Sequence, residues 1–503
     1  MAQEIRQSDF SRTKDFSPPV PFSRSIAILA IIASLICGTL VFFVPPYFIF
    51  GPIILLLLVA VILKYPVLGI YFYMLISYLR PQDLFGFLVI LRPHISLLAL
   101  TVISLIIHRK LENRAHLTLM PNDKMFLALL MAAVMSNLTS IWVSYSIETT
   151  IELLKTSVFY FAAIALLDNR ERLVRYVTLY ICSIAVVSLI QIYTYLTVGM
   201  TRITGSGGYG IIVGGMTILG GRGPMKGGND AANGVGGYSN YFFANASELG
   251  LGLCLAIPLC YYLFKGARNR LLKALFFVII VMFLVSIIFS GSRGAFVALV
   301  ATIIFLLYRE KKLLIGLVVM AILSAPILYA VSDQYVDRIK SIGEYDSDES
   351  VGIRFRLWSA AIDMVADHPL FGVGTGNFPV AYGSTYRAKG SANLYWSPHN
   401  VFIQIVTELG LVGITIYLLF IAAIFWINMK SRRLLRNIDD ARSVYYMSHG
   451  VDIALVAYIV AGQFITATYY PHLFQLSIWA SAIYLIARQY SNNVIETAEE
   501  VRV

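Results

Sequence analysis

Apolar runs of 17 to 25 residues recur from Ile26 to Arg488, parted by short polar segments. Each run can cross about 30 Å of hydrocarbon as a helix. Candidate spans fall at 26–44, 47–63, 66–79, 93–108, 124–143, 147–167, 174–198, 240–264, 271–289, 293–308, 313–331, 399–427, 448–467 and 472–488. In lipid every backbone N–H and C=O must be satisfied within its own span, which makes helices the default. The pattern therefore predicts an all-α fold, a polytopic transmembrane helical bundle of 12–14 spans. The lower count applies if 66–79 and 93–108, which flank RPQDLFGFLVILRP, form a re-entrant pair.

Polar stretches divide the chain further: a tail at 1–25, an N-terminal bundle at 26–198, a Gly-rich loop at 199–239, and spans at 240–331. A large loop at 332–398, C-terminal spans at 399–488 and a tail at 489–503 follow. The first loop holds 14 glycines between Gly205 and Gly237, with Arg202, Arg222 and Lys226 interspersed. A flexible linker and a substrate-covering loop both fit that composition. The second loop opens on the acidic stretch EYDSDES at 344–350. Ile353, Leu357, Ala361 and Met364/Val365 then recur at helical spacing and predict a helix over 351–367. It ends at His368-Pro369, since the residue before proline resists the α conformation.

Composition sharpens this picture. The chain is 503 residues, 58% hydrophobic and 13% charged, whereas a soluble domain is about one quarter charged. The net charge of +11 does not call for nucleic acid, because cytoplasmic loops of membrane proteins collect Lys and Arg. With both termini cytoplasmic, 26 of the 39 Lys and Arg lie inside, 12 outside and Lys155 within a span. The two long loops then face outward. The four cysteines all fall in apolar spans and imply neither disulfides nor a metal cluster. No nucleotide-binding glycine loop, zinc spacing or serine-nucleophile elbow is present.

The candidate chemistry gathers at the outer ends of spans. Arg293, in SGSRG between two spans, sits where a helix N-terminus favours an anion. It can hold a phosphate through its guanidinium, or act as a tight-turn arginine reaching lipid headgroups. His399 follows Ser397-Pro398, which reads as an N-cap and first helical position. That puts the imidazole in a first helical turn, whose positive end favours the neutral form a general base needs; a satisfied polar residue at the interface is the alternative. Arg354 and Trp358 share a helix face, with Arg356 on another side; a solvated arginine beside a packed tryptophan is the plain account. Asn400 and His472 also lie at outer span ends, His472 among tyrosines that suit an interfacial aromatic belt. The ionisable residues read as lying near mid-membrane are Lys155, Glu148 and Glu152. No internal repeat of the transporter kind is visible.

Taken together, GSRGAFVALV, the R-x-x-x-W element leading to DHPLFGVGTGNF, and SPHNVFIQIVTELGLVG resemble the bacterial O-antigen ligase and polymerase superfamily. The resemblance covers 240–488. It implies a GT-C-type glycosyltransferase in the bacterial inner membrane, with its active site and large loop periplasmic. Such an enzyme takes a glycan from undecaprenyl diphosphate to an acceptor hydroxyl, such as that of lipid A-core, without nucleotide sugar, cofactor or metal. Assembly proteins and membrane lipids are the other partners it implies. By position, His399 matches the family's acceptor-activating histidine, and Arg293 and Arg354 match its diphosphate-binding arginines. Arg356 departs from the pattern, so either it or Arg354 can fill that role; Trp358, Asn400, Arg222 and His472 are accessory candidates. A repeat-unit polymerase needs the same residues as a ligase. A solute transporter or lipid-glycan flippase is the reading from another class.

Overall fold

The structure, a computed structural model, describes residues 46–81, 91–111, 118–198, 212–213, 216–217, 246–290, 292–312, 314, 349–387 and 395–500. The expected tail at 1–25, the spans at 26–44 and 313–331, most of the Gly-rich loop with Arg222, and 332–348 lie outside the described residues. By contact the chain forms two units, Met1–Lys64 and Tyr65–Val503. Within the first, α1 (Pro46–Lys64) is a single apolar helix.

Among its described residues the second unit is helical apart from a two-residue ladder, β1 (Ile212–Val213) with antiparallel β2 (Met216–Thr217). Its helices are α2 (Pro66–Leu79), α3 (Pro93–Leu111), α4 (Pro121–Ser136), α5 (Val143–Leu166), α6 (Arg170–Val198), α7 (Ala246–Gly266), α8 (Arg270–Ser290) and α9 (Arg293–Arg309). After these come α10 (Glu349–Asp367), the short α11 (Phe378–Ala381), α12 (Val401–Leu435), α13 (Arg442–Ala461) and α14 (Pro471–Glu500). The protein is an all-α polytopic membrane bundle: α5, α6, α7, α8, α12 and the helix at 439–461 are each long and apolar enough to cross a bilayer.

Small and apolar side chains put α7 at the centre, where Leu249, Leu253, Cys254, Ala256 and Cys260 are buried. It packs against α6, α8, α9 and α13. Gly250 sits so close to Ala295 of α9 that a Cβ there would stand 2.1 Å from the alanine methyl. Close approach of small residues is how helices gain packing contacts in lipid, where apolar burial alone drives little association. On the other side, Phe126 of α4 stacks on Phe420 and meets the tilted rings of Tyr160 and Phe474, from three further helices.

A second, smaller core lies beside the main one. Leu357, Ala360, Ala361 and Met364 of α10 pack with Val373, Phe378 and Ala381 from the segment that follows. The expected helix over 351–367 is present, with the predicted apolar face inward and its end at Asp367. The tail expected at 489–503 is helical to Glu500, as a continuation of α14.

Candidate active site at one end of the bundle

The site is built on an interruption in α12. The apolar run after His399 predicts one continuous span, but Gly410 has φ 68° and ψ −167°, and the helix breaks there. The segment 369–376 docks into the break. Val373 N–H donates to the Thr407 carbonyl (2.9 Å), Gly374 N–H to the Glu408 carbonyl (3.2 Å), and Leu411 N–H to the Pro369 carbonyl (2.8 Å). Carbonyls and an N–H left over by the broken helix thus find partners in the glycine turn, as buried backbone must. Glycine is required on both sides of the joint. A Cβ on Gly372 (φ +69°) would stand 2.4 Å from the Thr407 oxygen, and one on Gly410 would stand 2.2 Å from that of Leu370.

Glu408 locks the joint. It is fully buried, and its Oε2 accepts from Gly376 N–H (2.9 Å) and the Tyr469 hydroxyl (2.6 Å). Its Oε1 accepts from Phe378 N–H at 3.3 Å. Burial and the adjacent Glu408 carboxylate push the Tyr469 phenol well above its ordinary range, so it stays a donor. The glycine turn is clasped from the far side by the loop between α4 and α5. Thr139 Oγ1 donates to the Gly372 carbonyl (2.7 Å), Ile141 N–H to that of Val373 (3.1 Å), and Asn377 Nδ2 to Ser140 Oγ (2.5 Å). Farther out, Tyr386 donates to Asp367 (2.9 Å), and burial together with that carboxylate pushes its phenol up to about 12.

His399 does not sit in the first helical turn. Asn400 is the N-cap, its Oδ1 accepting from Phe402 N–H (2.9 Å) and Ile403 N–H (3.1 Å). Asparagine outcompetes the earlier Ser397-Pro398 pair because its side chain reaches two orphan donors at once. His399 therefore precedes the cap, half-buried, in a left-handed conformation (φ 50°). Its N–H donates to Thr466 Oγ1 (3.0 Å), Asn400 Nδ2 to Gln463 (3.0 Å), and Val401 N–H to the Gly462 carbonyl (2.7 Å). The loop 462–470 thus carries the histidine turn.

The same loop meets Arg293. Gly294, the next residue, packs so tightly on Phe464 that a Cβ would lie 2.6 Å from the phenylalanine Cβ. Arg293 is the first residue of α9, half-buried, behind an N-cap formed by Ser292, whose Oγ accepts from Ala295 N–H at 3.2 Å. From above, α10 reaches the histidine turn through Trp358, whose Nε1 donates to the Pro398 carbonyl (2.9 Å). Arg354 lies one turn back along that face and is half-buried, whereas Arg356 is exposed. The segments bearing Arg293, Arg354 and His399 are therefore linked through direct contacts.

Other expectations fare differently. His472 is 3% exposed, in the first turn of α14, so it belongs to the interior rather than to a lipid-facing aromatic belt. Lys155 and Glu152 form a 2.6 Å ion pair on an exposed face. The ionisable residues inside the bundle include Glu408 and also Asp452, which binds Arg309 and Arg432 at 2.7 Å each. Glu408 has a signal in the sequence, an acid inside an otherwise apolar run, which in a span is costly unless it is used.

These linked segments can be set beside known proteins. Residues 278–418 match the family model described as O-Antigen ligase. The resemblance read from the motifs is borne out. The matched stretch holds Arg293, Arg354, Trp358, His399 and the Glu408–Gly410 joint, but not the 462–470 loop. An uncharacterized protein of Haemophilus influenzae is 26% identical over 201 residues, 36% of this chain and 49% of the relative. A Rickettsia typhi protein named as a candidate polysaccharide ligase is 27% identical over 164 residues, 31% of this chain and 40% of the relative. The chain thus spans about half the length, or less, of these curated relatives.

Proposed function

We propose that the protein is a membrane glycosyltransferase that moves an oligo- or polysaccharide from undecaprenyl diphosphate to an acceptor hydroxyl at the periplasmic face of the inner membrane. The observation that carries this reading is the linkage of His399 to both arginine-bearing helices, through Trp358–Pro398 on one side and the 462–466 loop on the other. It is supported by the O-antigen ligase match over 278–418, which holds Arg293, Arg354 and His399.

In this reading His399 takes the proton of the acceptor hydroxyl as its oxygen attacks the anomeric carbon. The bond from that carbon to the diphosphate breaks, and undecaprenyl diphosphate leaves with the electron pair. Arg293 and Arg354 hold the diphosphate and offset the charge that grows on it. Arg354 is the better of the two α10 arginines, because it shares the Trp358 face while Arg356 faces outward. The acceptor is lipid A-core or a comparable glycan or lipid.

Arg293→Ala and His399→Ala, each tested in cells lacking the native copy, are expected to abolish transfer while membrane protein level stays normal. Full activity in both would remove the mechanism. Deleting the gene and examining the glycan separates ligase from polymerase. Long carrier-linked chains with none on the acceptor fit a ligase, and single repeats on the acceptor fit a polymerase.

A further inference from the structure

The end of the bundle opposite His399 holds a second feature that this chemistry does not use. Helices α7 and α13 start or finish at the histidine end, with Ser247 on Ser292 and Gly462 on Val401. Their other ends lie about 30 Å away at 1.5 Å per residue. There the turn between α7 and α8, the start of α6 and the start of α13 enclose a cleft of about 640 Å³. Arg170, Arg268, Lys273 and Arg442 line it. Lys265 lines it too but is committed to Glu310 at 2.5 Å. Two carboxylates, Asp439 and Asp440, face the remaining four cations, so the cleft is net positive. Arg170 uses one N–H on the neutral Asp440 carbonyl (2.8 Å), and among the described residues it forms no ion pair.

Basic residues at a membrane surface are ordinary, and alone they would carry nothing. Here the charged cleft continues into a second one of about 1000 Å³ that shares Arg170, Gly266, Ala267 and Ser443 with it. The second cleft has mostly apolar walls, among them Val174, Leu263, Leu272, Phe276 and Ile486. Between the two, Ser443 lines both, and its buried hydroxyl has no hydrogen-bond partner among the described residues. A buried hydroxyl in that state is unusual unless a ligand or water supplies the partner.

We infer that these joined clefts bind one anionic phospholipid, its phosphate among Arg170, Arg268, Lys273 and Arg442 and an acyl chain along the apolar wall. A free phosphate or a soluble anion would satisfy the cations but leave the apolar cleft unused. A zwitterionic lipid would fill the apolar cleft but bring its own cation to a net positive mouth. Basic pockets between membrane helices are a known way to hold acidic headgroups.

The purified full-length protein, delipidated and offered equimolar phosphatidylglycerol and phosphatidylcholine, tests this by native mass spectrometry. One phosphatidylglycerol is expected to be retained at least about fivefold over phosphatidylcholine, and 10 mM inorganic phosphate should not displace it. The double variant Arg268→Glu/Lys273→Glu, at residues outside the proposed active site, should lose the preference. The milder Arg268→Gln/Lys273→Gln serves if the first does not fold. Equal retention of the two lipids, displacement by inorganic phosphate, or an unchanged preference in the folded variant would each overturn the inference.

Discussion

The indole N–H of Trp358 donates to the carbonyl of Pro398, the residue immediately before His399, at 2.9 Å. One bond thereby ties the helix that carries Arg354 to the turn that carries the histidine. Trp358→Phe keeps the ring within the small core beside the bundle but removes that donor. A hydrogen bond of this kind is worth about 0.5–1.5 kcal/mol. The expected result is transfer lowered by up to about tenfold with membrane level unchanged. Trp358→Ala, which also empties the packing site, should fall further. Wild-type activity in both would mean that the bond positions nothing.

His399 occupies a left-handed backbone conformation (φ 50°), which lets a structural role be tested apart from the proposed chemical one. Asparagine and histidine both tolerate such a conformation better than branched residues do. His399→Asn should therefore fold with an unchanged melting temperature. Glycan transfer should nevertheless fall by at least about 100-fold, the lower range of what a general base contributes. His399→Val should lose both transfer and thermal stability. Transfer near wild type in His399→Asn would assign the residue a structural role alone.

Much of the bundle was legible because membrane helices announce themselves by run length, and the predicted spans over 143–309 coincide closely with helices. The α10 helix was legible too, since Leu357, Ala361 and Met364 kept a helical period. What the sequence concealed was the joint at Gly410. Hydropathy averages over 20 residues, so a break satisfied by a distant partner, Pro369–Gly374, leaves no trace in the average. The glycines were visible, but each needs its partner's position before its necessity shows. Likewise the 462–470 loop carries no distinctive motif, and its importance comes from touching both Arg293's neighbour and His399.

The joint makes a sharp test of this architecture. At Gly410 and Gly372 an added methyl carbon would meet a backbone oxygen at 2.2 and 2.4 Å, in conformations that L-residues avoid. The left-handed conformation alone costs about 1–3 kcal/mol, and the overlap adds to it because backbone cannot give way cheaply. Gly410→Ala and Gly372→Ala are expected to lower the melting temperature markedly. They should also open the 369–377 segment to protease and reduce transfer, although neither residue bears reactive chemistry. Gly51→Ala is the control, since a Cβ there meets nothing within 4 Å and alanine favours the helix.

Glu408 holds the same joint by hydrogen bonds rather than by shape, which fixes an order of severity. Its Oε2 accepts the two short bonds, from Gly376 N–H and Tyr469, whereas the Phe378 bond to Oε1 is longer at 3.3 Å. In Glu408→Gln the amide oxygen can keep the two short bonds and turn its NH₂ towards Phe378 and Gln404, so only the weaker contacts, from Phe378 N–H and from Gln404 Nε2 (3.3 Å each), fail. In Glu408→Ala both short-bond donors lose their acceptor, at about 1–3 kcal/mol for each buried group left unsatisfied. Tyr469→Phe removes one donor and leaves the carboxylate its backbone partners. Melting temperature and transfer should both rank wild type first, Tyr469→Phe and Glu408→Gln next, and Glu408→Ala last. In a double-mutant cycle, Glu408→Ala with Tyr469→Phe should cost less than the sum of the two, because the pair shares one bond. Strict additivity would show that the 2.6 Å contact contributes nothing, and the link from the glycine turn to the loop that holds His399 would then have to run elsewhere.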